Sequence, residues 1–255
     1  MKTIFMSRRQ LVIGLAAGTV VACETNPVTG RSQLMLVSDG QLAQMSAGAW
    51  DDVKAQETVS RDPALNAQLQ RVGGSIANAA GMGNQTWDYA VFDSDTKNAF
   101  VLPGRQVAAY RGIMELADND AQLATVLGHE TAHVTARHAA ERYSQQMAVA
   151  AGTTLAAVAL NESDSKYKGE IAAVLGAGVT FGIILPYSRL QELEADRVGV
   201  DYMARAGYPT QEAIHFWEKM AAEGGSRQPE FLSTHPAPET RIDALRQHIR
   251  NMGYA

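Results

Sequence analysis

Cysteine is almost missing from this 255-residue chain: Cys23 is the only one. With no second thiol, an intrachain disulfide is excluded even in an oxidising compartment. Basic residues are also in deficit. The formal charge is −5, and without residues 1–22 the chain loses Lys2, Arg8 and Arg9 but no acid, leaving 19 bases against 27 acids, or −8. That balance, with no basic patch, argues against nucleic acid as a partner. No apolar run reaches the ~18 residues usual for a bilayer span. The two best, Met147 to Leu160 and Ile171 to Leu185, fall short. There is no internal repeat, and no histidine-rich tract of the kind a metal-buffering protein carries.

What is present fits one globular core of ordinary hydrophobic content. The start reads as an export signal: Lys2, Arg8 and Arg9 precede a short apolar stretch, Leu11 to Ala22, and "VVA" leads directly into Cys23. This junction resembles a bacterial lipobox, which implies lipidation at Cys23, while "SRRQLV" resembles a twin-arginine signal. The expected division is a signal peptide over 1–22, a lipid-anchored tether over 23–45, rich in turn residues ("NPVTGRSQ"), and the main domain over 46–255.

Within that domain, Asp62-Pro63 supplies a cap and a first-turn proline for a helix carrying Leu65, Leu69, Val72 and Ile76 at helical spacing. "WDYAVF", "AFVLP" and "QVAAY" read as three short strands. Asn119 with Gln122, and Ser188 with Gln191, resemble capping boxes opening two further helices. The apolar segments between those helices predict a helical hairpin, packed on the domain or lying near a membrane surface. A Gly/Pro-rich loop, Gly224 to Pro238, carries "STHPAP" ahead of a last amphipathic helix.

The first capped helix contains "VLGHETAHVTARH". A residue on an α-helix turns by about 100°, so His129 and His133 stand one above the other and can share one tetrahedral Zn2+. Glu130 adjoins the first histidine, where it can take a proton from the attacking water without being a ligand. His138, nine residues beyond His129, points away on a continuous helix and cannot join without a break; it reads as a histidine of the opposite face, buried and hydrogen-bonded. The third ligand must come from elsewhere. In "SRLQELEADRVG", Glu192 and Asp196 share a face with the small residues Ala195 and Gly199. Glu192 is then the third ligand, and Asp196 accepts the free N–H of a ligating histidine. Glu194 faces solvent or pairs with a neighbouring arginine.

"HETAH", "SRLQELEAD" and "STHPAPETRI" occur in the order and spacing of the HtpX-like and CAAX-prenyl-protease-like zinc metallopeptidases. "NPVTGRSQLMLVS" and "FDSDTKNAFVLPGRQVAAYRG" also resemble that family, within it the periplasmic lipoprotein members of the LoiP and BepA kind. The resemblance implies an α+β, helix-rich, thermolysin-like (gluzincin) domain with a small sheet and one zinc ion. The ion is held by His129, His133 and Glu192, between the Asn119 and Ser188 helices, with Glu130 as general base. It also places His235 near the metal, as an oxyanion donor or as a fourth ligand that keeps the enzyme latent. Pro236 pushes His235 toward an extended backbone. Membrane-spanning segments of the HtpX type and a BepA-like helical-repeat extension are not expected here.

The function implied is an exported zinc metalloendopeptidase in protein quality control. Its substrates would be unfolded or misassembled envelope proteins, and its place a bacterial envelope lipoprotein facing the periplasm, on the outer membrane. Outer-membrane assembly machinery is a further expected partner. The strand region Asn98 to Pro103 is a candidate edge for substrate addition, or a plain core strand. The rival reading is an envelope chaperone or assembly factor that binds client proteins, with latent or minor proteolysis.

Overall fold

The structure, a computed structural model, describes residues 23–159, 187–223, 229–235 and 238–254. The signal segment 1–22, the second apolar segment Ile171 to Leu185, and Pro236 lie outside the described residues.

Three helices and a small sheet enclose the main core. Helix α2 (Pro63–Ala79) is capped by Asp62, whose side chain accepts from Ala64 and Leu65 N–H, with proline at the first turn as expected. Strands β3 (Asp88–Phe92), β4 (Ala99–Val101) and β5 (Gln106–Tyr110) form a sheet in the order β3-β5-β4, with β3 parallel and β4 antiparallel to β5. Strand β4 is therefore an edge. After α3 (Arg111–Leu116) comes α4 (Asp120–Thr135), the helix with the histidine pair. Asn119 caps it by accepting from Gln122 N–H, but Gln122 reaches back to Asp118 N rather than to the cap, so only half of the expected capping box forms. Every residue of α4 from Ala121 to His133 is buried. A helix wrapped on all sides needs apolar or small residues around its whole circumference, and Leu123, Ala124, Val126 and Leu127 supply them.

Helix α6 (Arg189–Arg205) opens with the complete Ser188–Gln191 capping box and ends at Gly207, whose φ of +80° suits the glycine after a helix terminus. It packs on α4 more extensively than any other pair of elements. The approach is set by two glycines. A Cβ on Gly199 would lie 2.8 Å from His129 N, and one on Gly128 would lie 2.9 Å from Gly199 O. The small residues expected on this face of α6 thus find a second glycine facing them on α4. Helices α7 (Gln211–Ala222), α8 (Glu230–Thr234) and α9 (Pro238–Met252) close the other side through Phe216, Trp217, Phe231, Leu245 and Ile249. Burying each such large side chain contributes roughly 1.5–3 kcal/mol.

Two expectations need correction. The segment 23–45 is not a free tether. Strands β1 (Cys23–Thr25) and β2 (Ser32–Leu34) pair as a hairpin, and the expected 45/46 boundary falls inside helix α1 (Asp39–Gln56). The turn residues serve the hairpin: Asn26 Oδ1 accepts from Val28 and Thr29 N–H, and Gly30 has a φ of +72°. The hairpin is fastened to the domain because Asn26 Nδ2 and Gln33 Nε2 both donate to Ala136 O, 2.9 Å each. Secondly, the helix carrying the histidines does not continue through His138. It stops at Thr135, Arg137 takes a left-handed φ of +57°, and α5 (His138–Ala159) starts in a new direction. The first apolar segment, Met147 to Ala159, is helical within α5, and among the described residues no helix is long and apolar enough to cross a membrane.

Candidate active site

Helix α4 presents His129 and His133 on the side facing α6, and α6 answers with Glu192. His129 Nε2 and His133 Nε2 are 3.1 Å apart; Glu192 lies 3.6 Å from the first and 3.4 Å from the second. His235, the residue after α8, adds Nδ1 at 3.2 Å from His129 Nε2 and 2.9 Å from Glu192 Oε1. The four donor atoms lie within 4.8 Å of one another, all on buried residues, and can hold a metal ion. His235 has φ −124° and ψ 73°, outside the helical region as the following proline requires. Rings wall the group: Tyr187 stacks on His133 with centroids 3.8 Å apart, Phe231 stacks on His235 at 4.2 Å, and Trp217 meets His129 edge-on at 5.6 Å.

The hydrogen bonds set both imidazole tautomers. His129 Nδ1 is 2.9 Å from Asp196 Oδ1, the role expected of Asp196. A carboxylate only accepts, so Nδ1 carries the proton and Nε2 is a lone pair. His133 Nδ1 faces His138 Nδ1 at 2.8 Å, while His138 Nε2 faces Glu194 Oε2 at 3.0 Å. Burial favours a neutral His138, and Glu194 takes its Nε2–H. His138 Nδ1 must then accept from His133 Nδ1–H, which leaves His133 Nε2 as a second lone pair. Two lone pairs 3.1 Å apart repel unless a proton or a metal ion lies between them.

His138 is therefore buried and hydrogen-bonded as expected, but it stands beside the site rather than opposite, because the backbone break at Arg137 turns it back. Glu194 departs from its expected place. It is 8% exposed rather than facing solvent, and the arginine it pairs with, Arg31, comes from the hairpin, 163 positions away in sequence.

Three buried carboxyl groups converge here, Glu130, Glu192 and Asp196, and the guanidinium of Arg241 lies among them. Arg241 donates to both Asp196 oxygens at 2.7 Å, lies 2.6 Å from Glu192 Oε2, and donates to His235 O at 3.2 Å. Burial alone would raise the Glu192 and Asp196 carboxyls, but the Arg241 guanidinium and the adjacent histidines outweigh it, so both are held below their ordinary range. Glu130 goes the other way: burial pushes its carboxyl up, and His235 and His129 offset this only in part. Glu130 Oε2 accepts from Val101 N at 3.3 Å, whereas Oε1 is buried without a hydrogen bond, 3.3 Å from His235 Nε2 but outside bonding geometry.

Arg241 was missed by sequence reasoning, although a signal existed. It lines up with Leu245 and Ile249 at helical spacing, a charge within an apolar stripe. Arg31 carried no comparable signal.

The Val101 N–H that meets Glu130 points away from β5, so the open edge of β4 faces the site. A cleft there is lined by Phe100, Val101, Glu130, Arg142, Tyr187 and His235.

Comparison with known proteins agrees with this geometry. Over 228 residues the chain is 34% identical to the mitochondrial metalloendopeptidase OMA1 of Schizosaccharomyces pombe, covering 88% of this chain and 65% of that protein. It is 30% identical over 236 residues to the beta-barrel assembly-enhancing protease of Escherichia coli, covering 91% and 48%. To the mitochondrial metalloendopeptidase OMA1 of Saccharomyces cerevisiae it is 38% identical over 206 residues, covering 76% and 52%. The chain thus spans about half to two thirds of the length of these relatives. The helix-rich fold with small sheets is the gluzincin type implied by the sequence. Residues 63–249, which include all four donors, Glu130, Asp196 and Arg241, match the profile of peptidase family M48, and the chain belongs to that family.

Proposed function

We propose that this chain is a zinc-dependent metalloendopeptidase of the bacterial envelope, acting on unfolded or misassembled proteins. The carrying observation is the pair of facing Nε2 atoms on His129 and His133, completed by Glu192, with the non-ligand Glu130 beside them. Zinc–nitrogen bonds of about 2.0–2.1 Å imply tetrahedron edges near 3.3 Å; the closest donor contacts, 2.9–3.6 Å, lie around that value within a set that spans up to 4.8 Å. When bound, zinc supplies Lewis acidity, polarising the scissile carbonyl and bringing a water's pKa toward about 7. The protein supplies the rest. Glu130, with its carboxyl pushed up by burial, takes the proton of the attacking water and returns it to the leaving amine. The open edge of β4 receives the substrate as an added strand; backbone pairing makes few demands on side chains and suits unfolded segments.

His235 fits the latch arm of its two expected roles. The grouping of its Nδ1 with the other three donors supports that role. This arrangement also favours, as a second reading, an envelope assembly factor whose proteolysis is latent. The names of the Escherichia coli relatives support a link to outer-membrane assembly. An N-terminal lipid at Cys23 would attach the domain to the membrane, which mass spectrometry of the mature protein would reveal. Purified, metal-analysed protein incubated with casein, with and without chelator, tests the main reading. Glu130→Gln should lower cleavage by roughly 10²–10⁴-fold with zinc retained, and His235→Ala should raise basal cleavage. Survival of cellular function in Glu130→Gln would favour the assembly-factor reading.

A further inference from the structure

The histidine pair is supported from two directions, and one of them starts in residues ahead of the 63–249 profile match. The hairpin β1–β2 precedes residue 63, where the M48 match begins. Its side chains nevertheless reach three elements that build the site. Asn26 and Gln33 hold Ala136 O, where helix α4 ends. Arg31 Nη1 and Nη2 bond both oxygens of Glu141, on α5, at 2.6 and 2.7 Å. The same guanidinium bonds Glu194, on α6, through Nε at 2.8 Å and Nη2 at 3.1 Å. Glu141 also accepts from Gln33 and from Gln191, the capping residue one place before Glu192.

We propose that this hairpin is a working part of the metal site: Arg31, through Glu194 and His138, fixes His133 in the tautomer that offers Nε2 as a lone pair. The chain of bonds runs in one direction. Arg31 holds Glu194 in place; Glu194 accepts His138 Nε2–H; His138 Nδ1 accepts His133 Nδ1–H. His133 has no carboxylate on its Nδ1, unlike His129 with Asp196; the group within reach is His138 Nδ1 at 2.8 Å, to which a His133 that ligates through Nε2 must donate. A neutral imidazole accepts at only one nitrogen, and Glu194 decides which. Arg31 and its two carboxylates form a forked, charge-assisted set, which gives the chain of bonds a defined orientation. Arg31, Glu194 and His138 are positioning residues, since they act on the site only through His133.

The inference rests on the zinc reading above, and the experiment separates the two. Zinc affinity of the full chain is measured by competition with a chelator for wild type, Arg31→Gln, Arg31→Lys, His138→Leu and His138→Gln. The His133 tautomer is read from ¹⁵N–¹H correlations of the metal-free proteins. Loss of an outer partner of a metal ligand costs roughly 10–100-fold in affinity. His138→Leu should fall in that range and populate the His133 tautomer with the proton on Nε2. His138→Gln, whose carbonyl can accept from His133, should recover most of the affinity. Arg31→Gln should lie near the lower end, about 10-fold, with Arg31→Lys between it and wild type. If His138→Leu does not fold, the tautomer populations of Arg31→Gln decide the matter. Variants that bind zinc within about twofold of wild type, or an unmoved His133 tautomer, would overturn the role of the hairpin alone. A wild-type protein that takes up no zinc would overturn the metallopeptidase reading as well.

Discussion

His129 and His133 are neighbours on one helix, yet they are supported differently. His129 is held from the inner side: its Nδ1–H meets Asp196, which Arg241 clamps with two 2.7 Å bonds, under Trp217 and Phe231. His133 is held from the outer side by a longer route, through His138 and Glu194 to Arg31, whose side chain is 24% exposed against 4% for Arg241. The inner support is dry and carries full charges in direct contact. The outer one is wetter and passes through a neutral ring. Mutations of equivalent chemistry should therefore have unequal effects, since ion pairs matter most where removing one partner strands a buried charge.

The largest contrast should come from the two arginines. Arg241→Ala leaves Glu192 and Asp196 buried without their shared counter-charge and should cost about 3–5 kcal/mol. Arg31→Ala leaves Glu141 and Glu194 with their other hydrogen-bond partners and should cost less, about 1–3 kcal/mol. Urea unfolding of the metal-free proteins checks both, and equal losses would erase the distinction between inner and outer support. Next comes the contact on which both supports depend. Gly199→Ala would place a methyl 2.8 Å from His129 N and 2.9 Å from Gly128 C, atoms of a helix backbone that cannot step aside cheaply. A destabilisation of about 1–3 kcal/mol is expected, visible as a lower thermal midpoint, with the His129 side of the site disturbed first.

Asp196→Asn sharpens the comparison at the metal. The amide keeps an acceptor oxygen for His129 but loses the charge that balances Arg241, so zinc affinity should fall roughly 10–100-fold. His138→Gln, the matching change on the outer side, should fall less. The smallest effect is pH dependence on the outer side. Burial alone would raise the Glu141 carboxyl, but hydrogen bonds from Arg31, Gln191 and Gln33 outweigh it and hold it below the ordinary range. A carboxyl lowered by folding stabilises above its unfolded pKa, about 4.3, and that contribution is lost as pH falls through the folded value. Thermal midpoints followed from pH 6 to pH 3 should therefore drop less steeply for Glu141→Gln than for wild type.

Local features of the site were legible in the sequence because they depend on near neighbours. Four-residue spacing puts His129 over His133 and Glu192 in line with Asp196 wherever a helix forms, and Asp62-Pro63 and Ser188–Gln191 mark helix starts by bonds within one turn. Pro236 likewise acts only on the residue before it. The partners of these residues were not legible. The spacing of His138 from His129 indicates opposite faces, and only a left-handed Arg137, a residue type with no preference for that conformation, reverses the conclusion. Arg241 reaches Asp196 across 45 residues, and Arg31 reaches Glu194 across 163. Each contact exists because packed helices and a docked hairpin bring charges together in a buried space, where an unpaired charge is too costly to leave. Sequence alone determined the donor residues and the helices that carry them. Tertiary packing decided which groups orient those donors, because hydrogen bonds and counter-charges are satisfied through space, without regard to separation along the chain.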